Sequence, residues 1–261
     1  MILLLDIGNT HTHVGLANGK GVVRVRDFST AAVRSGDAAE ELARFVGRSR
    51  ASLAGAALAS VVPAATEPAR QLVAALTTGL TIQLTPESLR GVGLDYPRPA
   101  TIGQDRLANA IAARLHFGAP SVVVDFGTAV TFDVVSKAGA YVGGIIAPGL
   151  ASMTDYLHEK TALLPRIRIR EPRAVIGRNT EEAMLVGAVV GYRGLVRELI
   201  RELKRELKAR SLPVIATGGY AALMAKGLPE ITAVQPNLTL EGLRILWEAH
   251  ASELRAAGKK V

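Results

Sequence analysis

A chain of 261 residues that is 49% hydrophobic can build one large core or two smaller ones, and its complete lack of cysteine excludes disulfide frameworks and thiolate metal sites. No apolar run approaches bilayer length, and the N-terminus carries four aliphatics but no basic leader before Asp6, so neither export nor membrane insertion is expected and the cytoplasm is the expected compartment. A formal charge of +8 admits nucleic acid, a membrane surface or a small anionic substrate, and where the charge lies decides among them.

The first element is the apolar run Ile2 to Leu5, which ends in Asp6-Ile7-Gly8-Asn9-Thr10. Unbroken apolar residues predict a strand covered on both faces. Gly8 lets the following turn approach a ligand closely, and Asn9 and Thr10 place an amide and a hydroxyl at the same spot. Thr12 to Ala17 and Val22 to Phe28 then predict a hairpin joined at Asn18-Gly19. His11 and His13 alternate on one side of its first strand; a His-x-His metal site lacks a further ligand in the sequence, and polar strand positions are the better reading. Ser35 to Gly47 predicts a helix, Ala56 to Val62 a strand, and Thr66 to Thr78 a second helix with Pro68 in its first turn. This alternation indicates an α/β sheet. Leu84 to Ile102, with Pro86, Gly91, Gly93, Pro97 and Pro99, is long enough to be a functional loop, and Tyr96 stands at its centre.

Thr101 and Gln104 have capping-box spacing, which predicts that Gly103-Gln104-Asp105-Arg106 open a helix running through Leu107, Ala110, Ile111 and Leu115. An acid at Asp105 suits a helix N-terminus. A cation at Arg106 opposes the helix dipole and points instead to a carboxylate or anionic ligand. The three-strand opening then repeats as Ser121 to Phe126, Val130 to Val135 and Ala140 to Ala147, followed by a turn with Gly143, Gly144, Pro148 and Gly149. Ala151 to Thr161 predicts a helix. Arg166, Arg168 and Arg170 alternate with Ile167 and Ile169, as in a short solvated edge strand. A long helical region begins at Asn179-Thr180, with Thr180 as a possible N-cap and Gly187, Gly191 and Gly194 as sites of close helix packing. Within it, Arg193 to Arg210 carries much of the positive charge, but Glu198, Glu202 and Glu206 interleave with the basic residues, Glu206 standing four before Arg210. That is a solvated helix face, which argues against nucleic acid as the partner. Pro213 to Ala216 predicts a strand ending in Thr217-Gly218-Gly219, and a helix from Leu240 to about Leu254 closes the chain.

Val122-Val123-Val124-Asp125-Phe126-Gly127-Thr128 repeats the pattern of the first strand and turn. Two such copies predict two related halves, each presenting a strand-end carboxylate and a hydroxyl-bearing turn to a shared nucleotide site. Backbone N–H and hydroxyl groups can bond phosphate oxygens, while carboxylates hold the phosphate-bound cation.

These residues resemble the type III pantothenate kinases of the actin, Hsp70 and sugar kinase superfamily. Asp6 to Thr10 is similar to that family's first phosphate motif, Gly103 to Arg106 with Asn109 to its substrate motif, and Asp125 to Thr128 to its second phosphate motif. Gly143 to Gly149, Thr161 to Pro165, Gly177 to Thr180, Thr217 to Gly219 and Leu238 to Leu243 match further family blocks in order. The resemblance implies an α/β fold of two duplicated RNase H-like halves around a nucleotide cleft, with domains at residues 1–117 and 118–261 and a homodimer formed through the second. It implies ATP-dependent phosphorylation of pantothenate to 4'-phosphopantothenate, opening coenzyme A biosynthesis, with Mg²⁺ and a monovalent cation, K⁺ or NH₄⁺. By the same resemblance Asp105 is the general base, and Asp6, Ile7, Gly8, Asn9, Thr10, His11, Thr12, His13 and Thr128 contact ATP. Tyr96, Gly103, Gln104, Asp105, Arg106 and Thr180 contact pantothenate, and Asp125 and Asp6 hold cations. A non-enzymatic transcriptional accessory role is the competing class; no helix-turn-helix signature accompanies the basic charge. Another kinase or a phosphatase of the superfamily, acting on a sugar or acetate, would share both phosphate turns but is not expected to share Gly103 to Arg106.

Overall fold

The computed structural model describes residues 1–259, which form two compact units: residues 1–116 together with the chain from residue 237 onward, and residues 117–236. In the first unit, β1 (Ile2–Ile7), β2 (His11–Asn18), β3 (Gly21–Ser29), β4 (Gly55–Ser60) and β5 (Leu80–Gln83) make a sheet in the order β3-β2-β1-β4-β5. β1 to β3 are antiparallel neighbours, whereas β4 and β5 run parallel to β1. Every residue of β1 is buried, as an unbroken aliphatic run requires of a central strand. Leu3, Leu5 and Ile7 face one core with Val14, Leu16, Ala56 and Leu58, covered by α1 (Thr30–Ser35), α2 (Ala39–Val46) and α3 (Pro63–Ala74).

The helix expected over Ser35 to Gly47 is two helices, because Gly36 takes a left-handed φ of 87° and closes α1. The next helix starts earlier than expected, with Pro63 at its first position, and Pro68 therefore lies in its interior. Asn18 pairs with Gly21, so the hairpin tip is Gly19-Lys20, one residue later than the sequence indicated, and Asn18 Oδ1 accepts the Lys20 N–H at 2.8 Å. The long connection after β5 contains only the two-residue β6 (Gly93–Leu94) and a 3₁₀ turn at Pro99–Thr101 before α4 (Gln104–Phe117).

In the second unit β7 (Ser121–Phe126), β8 (Ala129–Val135) and β9 (Ala140–Pro148) repeat the antiparallel opening, and β10 (Val214–Thr217) and β11 (Ala233–Val234) extend it in parallel in the order β11-β10-β7-β8-β9. Its core combines Val122, Val124, Phe126 and Phe132 with Tyr192, Val196 and Ile200. The helices are α5 (Leu150–Lys160), α6 (Thr180–Val186), α7 (Tyr192–Glu206) and α8 (Ala221–Ala225), with a π turn at Gly187–Gly191 joining α6 to α7.

Three expectations fail here. Arg166 to Arg170 is extended but not a strand, since no ladder partner lies beside it; Ile167 and Ile169 still anchor it to the core, and Arg166 and Arg170 pair with Asp155 and Glu181 at 3.3 Å each. A Cβ on Gly187, Gly191 or Gly194 would meet nothing within 4 Å, so these glycines pack no helix of this chain. α7 ends at Glu206, which leaves Arg210 outside the helix; the helical pairs are Glu198 with Arg201 and Glu202 with Arg205, three residues apart.

The last helix, α9 (Leu238–Ala256), belongs to the first unit, whereas the sequence reading carried the second domain through residue 261. Contacts made at its small and polar positions explain the return. A Cβ on Gly242 would lie 1.9 Å from the Ala108 carbonyl oxygen, so only glycine lets α9 touch the backbone of α4. Thr239 Oγ1 donates to Asn109 Oδ1 (2.9 Å), Trp247 Nε1 donates to Leu80 O (2.8 Å), and Glu241 accepts the Val22 N–H (2.6 Å). No helix among the described residues is long and apolar enough to cross a membrane.

Candidate active site

In the first unit, chemistry gathers where β1 and β4 end, the usual ligand end of parallel strands. The turn after β1 is closed by the Gly8 N–H donating to His11 O at 3.0 Å. Thr30, at the start of α1, braces it: its Oγ1 donates to Gly8 O (2.7 Å) and lies 3.0 Å from Thr12 Oγ1, and its N–H donates to Thr10 O (3.1 Å). Sequence reasoning did not single out Thr30, whose role depends on a turn twenty residues earlier. Asn9, Thr10, His11 and His13 are exposed around the turn, while Asp6 is almost buried beside it at 9% exposure. The side chains of Ile7 and Thr12 are fully buried, so these two residues can offer a ligand only backbone groups.

The start of α4 lies at the same end of this sheet. Gln104 Oε1 accepts the Ser60 N–H, from the last residue of β4, at 2.8 Å. The expected capping box is therefore absent: Gln104 is spent on β4, and Thr101 Oγ1 donates back to Arg98 O at 2.8 Å. Asp105 caps instead, its Oδ1 accepting the Arg106 N–H at 2.8 Å. Gly103 leaves room for this carboxylate, since a Cβ would stand 2.5 Å from that same Oδ1 and displace it. Burial pushes the Asp105 carboxyl above its ordinary value, opposed more weakly by the Arg106 N–H and guanidinium charge. A cavity of about 510 Å³ adjoins the motif, its wall mixing Ser60, Thr66, Gln83 and Gln104 with the apolar Val61, Pro63 and Ile102. Tyr96 is half-buried in the loop before this helix.

In the second unit Asp125 stands at the end of β7, paired in register with Thr217 of β10 and Thr131 of β8. Gly218, at φ 86°, leaves room for this carboxylate; a Cβ there would lie 2.5 Å from Asp125 Oδ1. Thr128 is exposed in the turn, and the Gly149 backbone approaches it so closely that a Cβ would sit 2.1 Å from Thr128 O. Ser152 Oγ donates to the same carbonyl at 2.9 Å. Tyr192 fixes the neighbouring Pro148 by donating its hydroxyl to Pro148 O (2.7 Å), and burial pushes that hydroxyl up to about 12, so it stays a donor at any working pH. Thr180 is exposed at the first position of α6, but it is not the cap: Asn179 Oδ1 accepts the Glu182 N–H at 2.8 Å, leaving the Thr180 hydroxyl uncommitted to that role.

Asp6 and Asp125 are oxygen donors of the hard kind that Mg²⁺ takes together with phosphate oxygens. Among the described residues no three histidine or acidic side chains are grouped to hold a metal alone, so a cation here would need oxygens from a bound nucleotide.

The family model of type III pantothenate kinase matches residues 2–202. The chain is 46% identical to the type III pantothenate kinase of Akkermansia muciniphila over 93% of its own length and 96% of that protein's, and 43% identical to that of Methylacidiphilum infernorum over 95% and 88%. Among solved structures it resembles a candidate Baf family transcriptional activator from Campylobacter jejuni, with a TM-score of 0.62 at 19% identity, covering 96% of this chain and 99% of that one. It also resembles a candidate 2-dehydro-3-deoxygalactonokinase from Sinorhizobium meliloti, with a TM-score of 0.54 at 13% identity, covering 95% and 96%. At these identities the structures establish the fold alone, a mixed α/β architecture whose two sheets repeat the same three-strand opening, as duplicated RNase H-like halves do.

The burial of Asp105 has a consequence for stability. Burial raises its carboxyl pKa in the folded state above that in the unfolded chain, so between the two the folded state binds more protons and stability falls as pH rises. At neutral pH the charged form is a burden. Asp105→Asn keeps an acceptor for the Arg106 N–H and removes the charge, so its melting temperature at pH 7 should equal or exceed that of wild type, with the difference shrinking as the solution is acidified. Thermal melts across pH check this; a clearly lower Tm for the variant at neutral pH would contradict it.

Proposed function

This chain belongs to the type III pantothenate kinase family, and from that premise we propose how its own residues phosphorylate pantothenate. The reaction passes the γ-phosphoryl group of ATP to the primary hydroxyl of pantothenate, giving 4'-phosphopantothenate and ADP, the first step of coenzyme A biosynthesis. The observation that carries the assignment of roles is Asp105: a carboxylate held at a helix start by one backbone N–H and raised in pKa by burial. A base raised toward working pH holds the proton it accepts better than an ordinary aspartate does. Asp105 takes the hydroxyl proton as the oxygen attacks phosphorus, and Arg106 bonds an oxygen of the pantothenate anion. Gly103, Gln104, Tyr96 and Thr180 complete the pantothenate contacts.

ATP is held by the turn from Asp6 to His13, with Ile7 and Thr12 contributing backbone groups only, and by Thr128. The first unit thus carries the base and one phosphate turn, and the second carries the other. Asp6 would hold Mg²⁺, which when bound neutralises phosphate charge. Asp125, at the end of β7, would hold K⁺ or NH₄⁺. The second unit also exposes Ile146, Tyr156 and Leu163 (65%, 61% and 90%) and the open glycine positions of the α6–α7 region, a surface that suits a second copy of the chain. The protein is accordingly a homodimer with pantothenate bound near the two-fold interface.

Four measurements test these roles. In an ADP-release assay pantothenate should be phosphorylated and sugars and acetate should not. Asp105→Asn should stay folded and bind ATP but lose about 10²–10⁴-fold in kcat, more than it loses in KM for ATP. A variant within a few-fold of wild type would move the base elsewhere. Turnover should require K⁺ or NH₄⁺ and fail in Na⁺ or Tris alone, with Asp125→Ala raising the ATP requirement or abolishing activity; full activity without K⁺ or NH₄⁺ would remove the monovalent site. Sedimentation at micromolar concentration should give a dimer, and a fully active monomer would refute that assembly.

A further inference from the structure

A row of side chains crosses three strands of the first unit. Asp6 of β1 stands directly opposite His13 of β2, and His13 stands directly opposite Asp27 of β3. Directly opposed residues of antiparallel strands share a face, with Cα atoms about 4.5–5.5 Å apart. The row therefore reads carboxylate, imidazole, carboxylate. His13 Nδ1 lies 2.6 Å from Asp27 Oδ1, and both side chains remain about half exposed, so a ligand has access to the ring.

The chemistry of this contact is directional. An aspartate carboxylate only accepts hydrogen bonds, so Nδ1 carries the proton, and in the neutral ring Nε2 keeps its lone pair. A lone pair cannot bond a phosphate oxygen, which is itself an acceptor. What it suits is a cation. A histidine that gives one N–H to a carboxylate and turns its other nitrogen outward has the arrangement found behind metal-bound imidazoles. On the far side of His13 lies Asp6, the carboxylate assigned above to the nucleotide's cation.

We propose that His13 Nε2 and Asp6 together bind a divalent cation of the Mn²⁺ class on the nucleotide phosphates, with Asp27 orienting the imidazole. This deepens the reading of Asp6 given under the proposed function and rests on it. Two protein ligands with phosphate oxygens completing the sphere accord with the absence, among the described residues, of any three-residue metal group. Imidazole nitrogen suits Mn²⁺ and later transition metals, whereas Mg²⁺ prefers oxygen, so the site would favour Mn²⁺ relative to an all-oxygen site. His11 is also exposed, but it stands opposite Ser29, without a carboxylate to orient it.

The test is pulsed EPR on the full-length protein with Mn²⁺ and ADP, comparing natural-abundance protein with protein carrying ¹⁵N-histidine. The isotope removes ambiguity with adenine nitrogens. The expected result is a directly bound histidine nitrogen whose modulation changes with the label, disappears in His13→Gln and persists in His11→Gln. Mn²⁺ titration in the presence of ADP should show Asp27→Asn weakening binding by about 10–100-fold. No labelled-nitrogen signal in wild type, or one that survives His13→Gln, would overturn the proposal. The readout does not depend on turnover: a protein that phosphorylates pantothenate with Mg²⁺ but lacks the signal keeps the kinase roles and loses this site. A protein with the signal and no pantothenate turnover does the reverse.

Discussion

The contact on which the first unit's chemistry depends is one of backbone against backbone: Gly242 of α9 on the Ala108 carbonyl of α4. Because no side chain intervenes, α9 can fix α4 at close range, and the buried Thr239–Asn109 hydrogen bond sets its register along the helix. α4 is anchored again at its first residue, about one turn before Ala108, where Gln104 satisfies the last N–H of β4. The N-terminal turn of α4 is thus held at the ligand end of the sheet from two directions. Asp105 inherits its position from that restraint, and its burial follows from the packing.

That burial couples stability to chemistry. A carboxylate removed from water resists ionisation, which costs the folded protein something at neutral pH and makes the group a better proton acceptor. The two glycine turns are braced from outside: Thr30 holds the first, and Ser152 and Tyr192 hold the second. Glycine does the rest by absence, since Gly218 and Gly149 leave space that any side chain would fill.

Two arginines are structural. Arg193 is buried and makes a two-pronged pair with Glu171 at 2.6 and 2.7 Å while donating to Leu223 O, which ties the extended segment after α5 to α7. The Arg193 hydrogen bonds hold the Glu171 carboxyl below its ordinary range. Arg244 is similarly enclosed by Glu241 and Glu248. The exposed pairs along α7 contribute little by comparison, because water screens them.

What the sequence determined by itself was local and repeated: two aliphatic strands ending in aspartate and a glycine turn, the hairpins that follow each, and the acid-bearing turn at Gly103 to Arg106. Strand burial, turn chemistry and glycine freedom act over a few residues, so they are visible in a linear string. Only the tertiary structure decided which neighbour each residue meets. It gave α9 to the first unit, left Arg166 to Arg170 outside the sheet, and drew Gln104 away from Thr101 to the last N–H of β4. It also aligned Asp6, His13 and Asp27, which lie up to 21 residues apart, in a single row. The physical reason is the same in each case: a hydrogen bond, a close backbone approach or a desolvated charge depends on which distant part of the chain arrives beside it, and packing makes that choice.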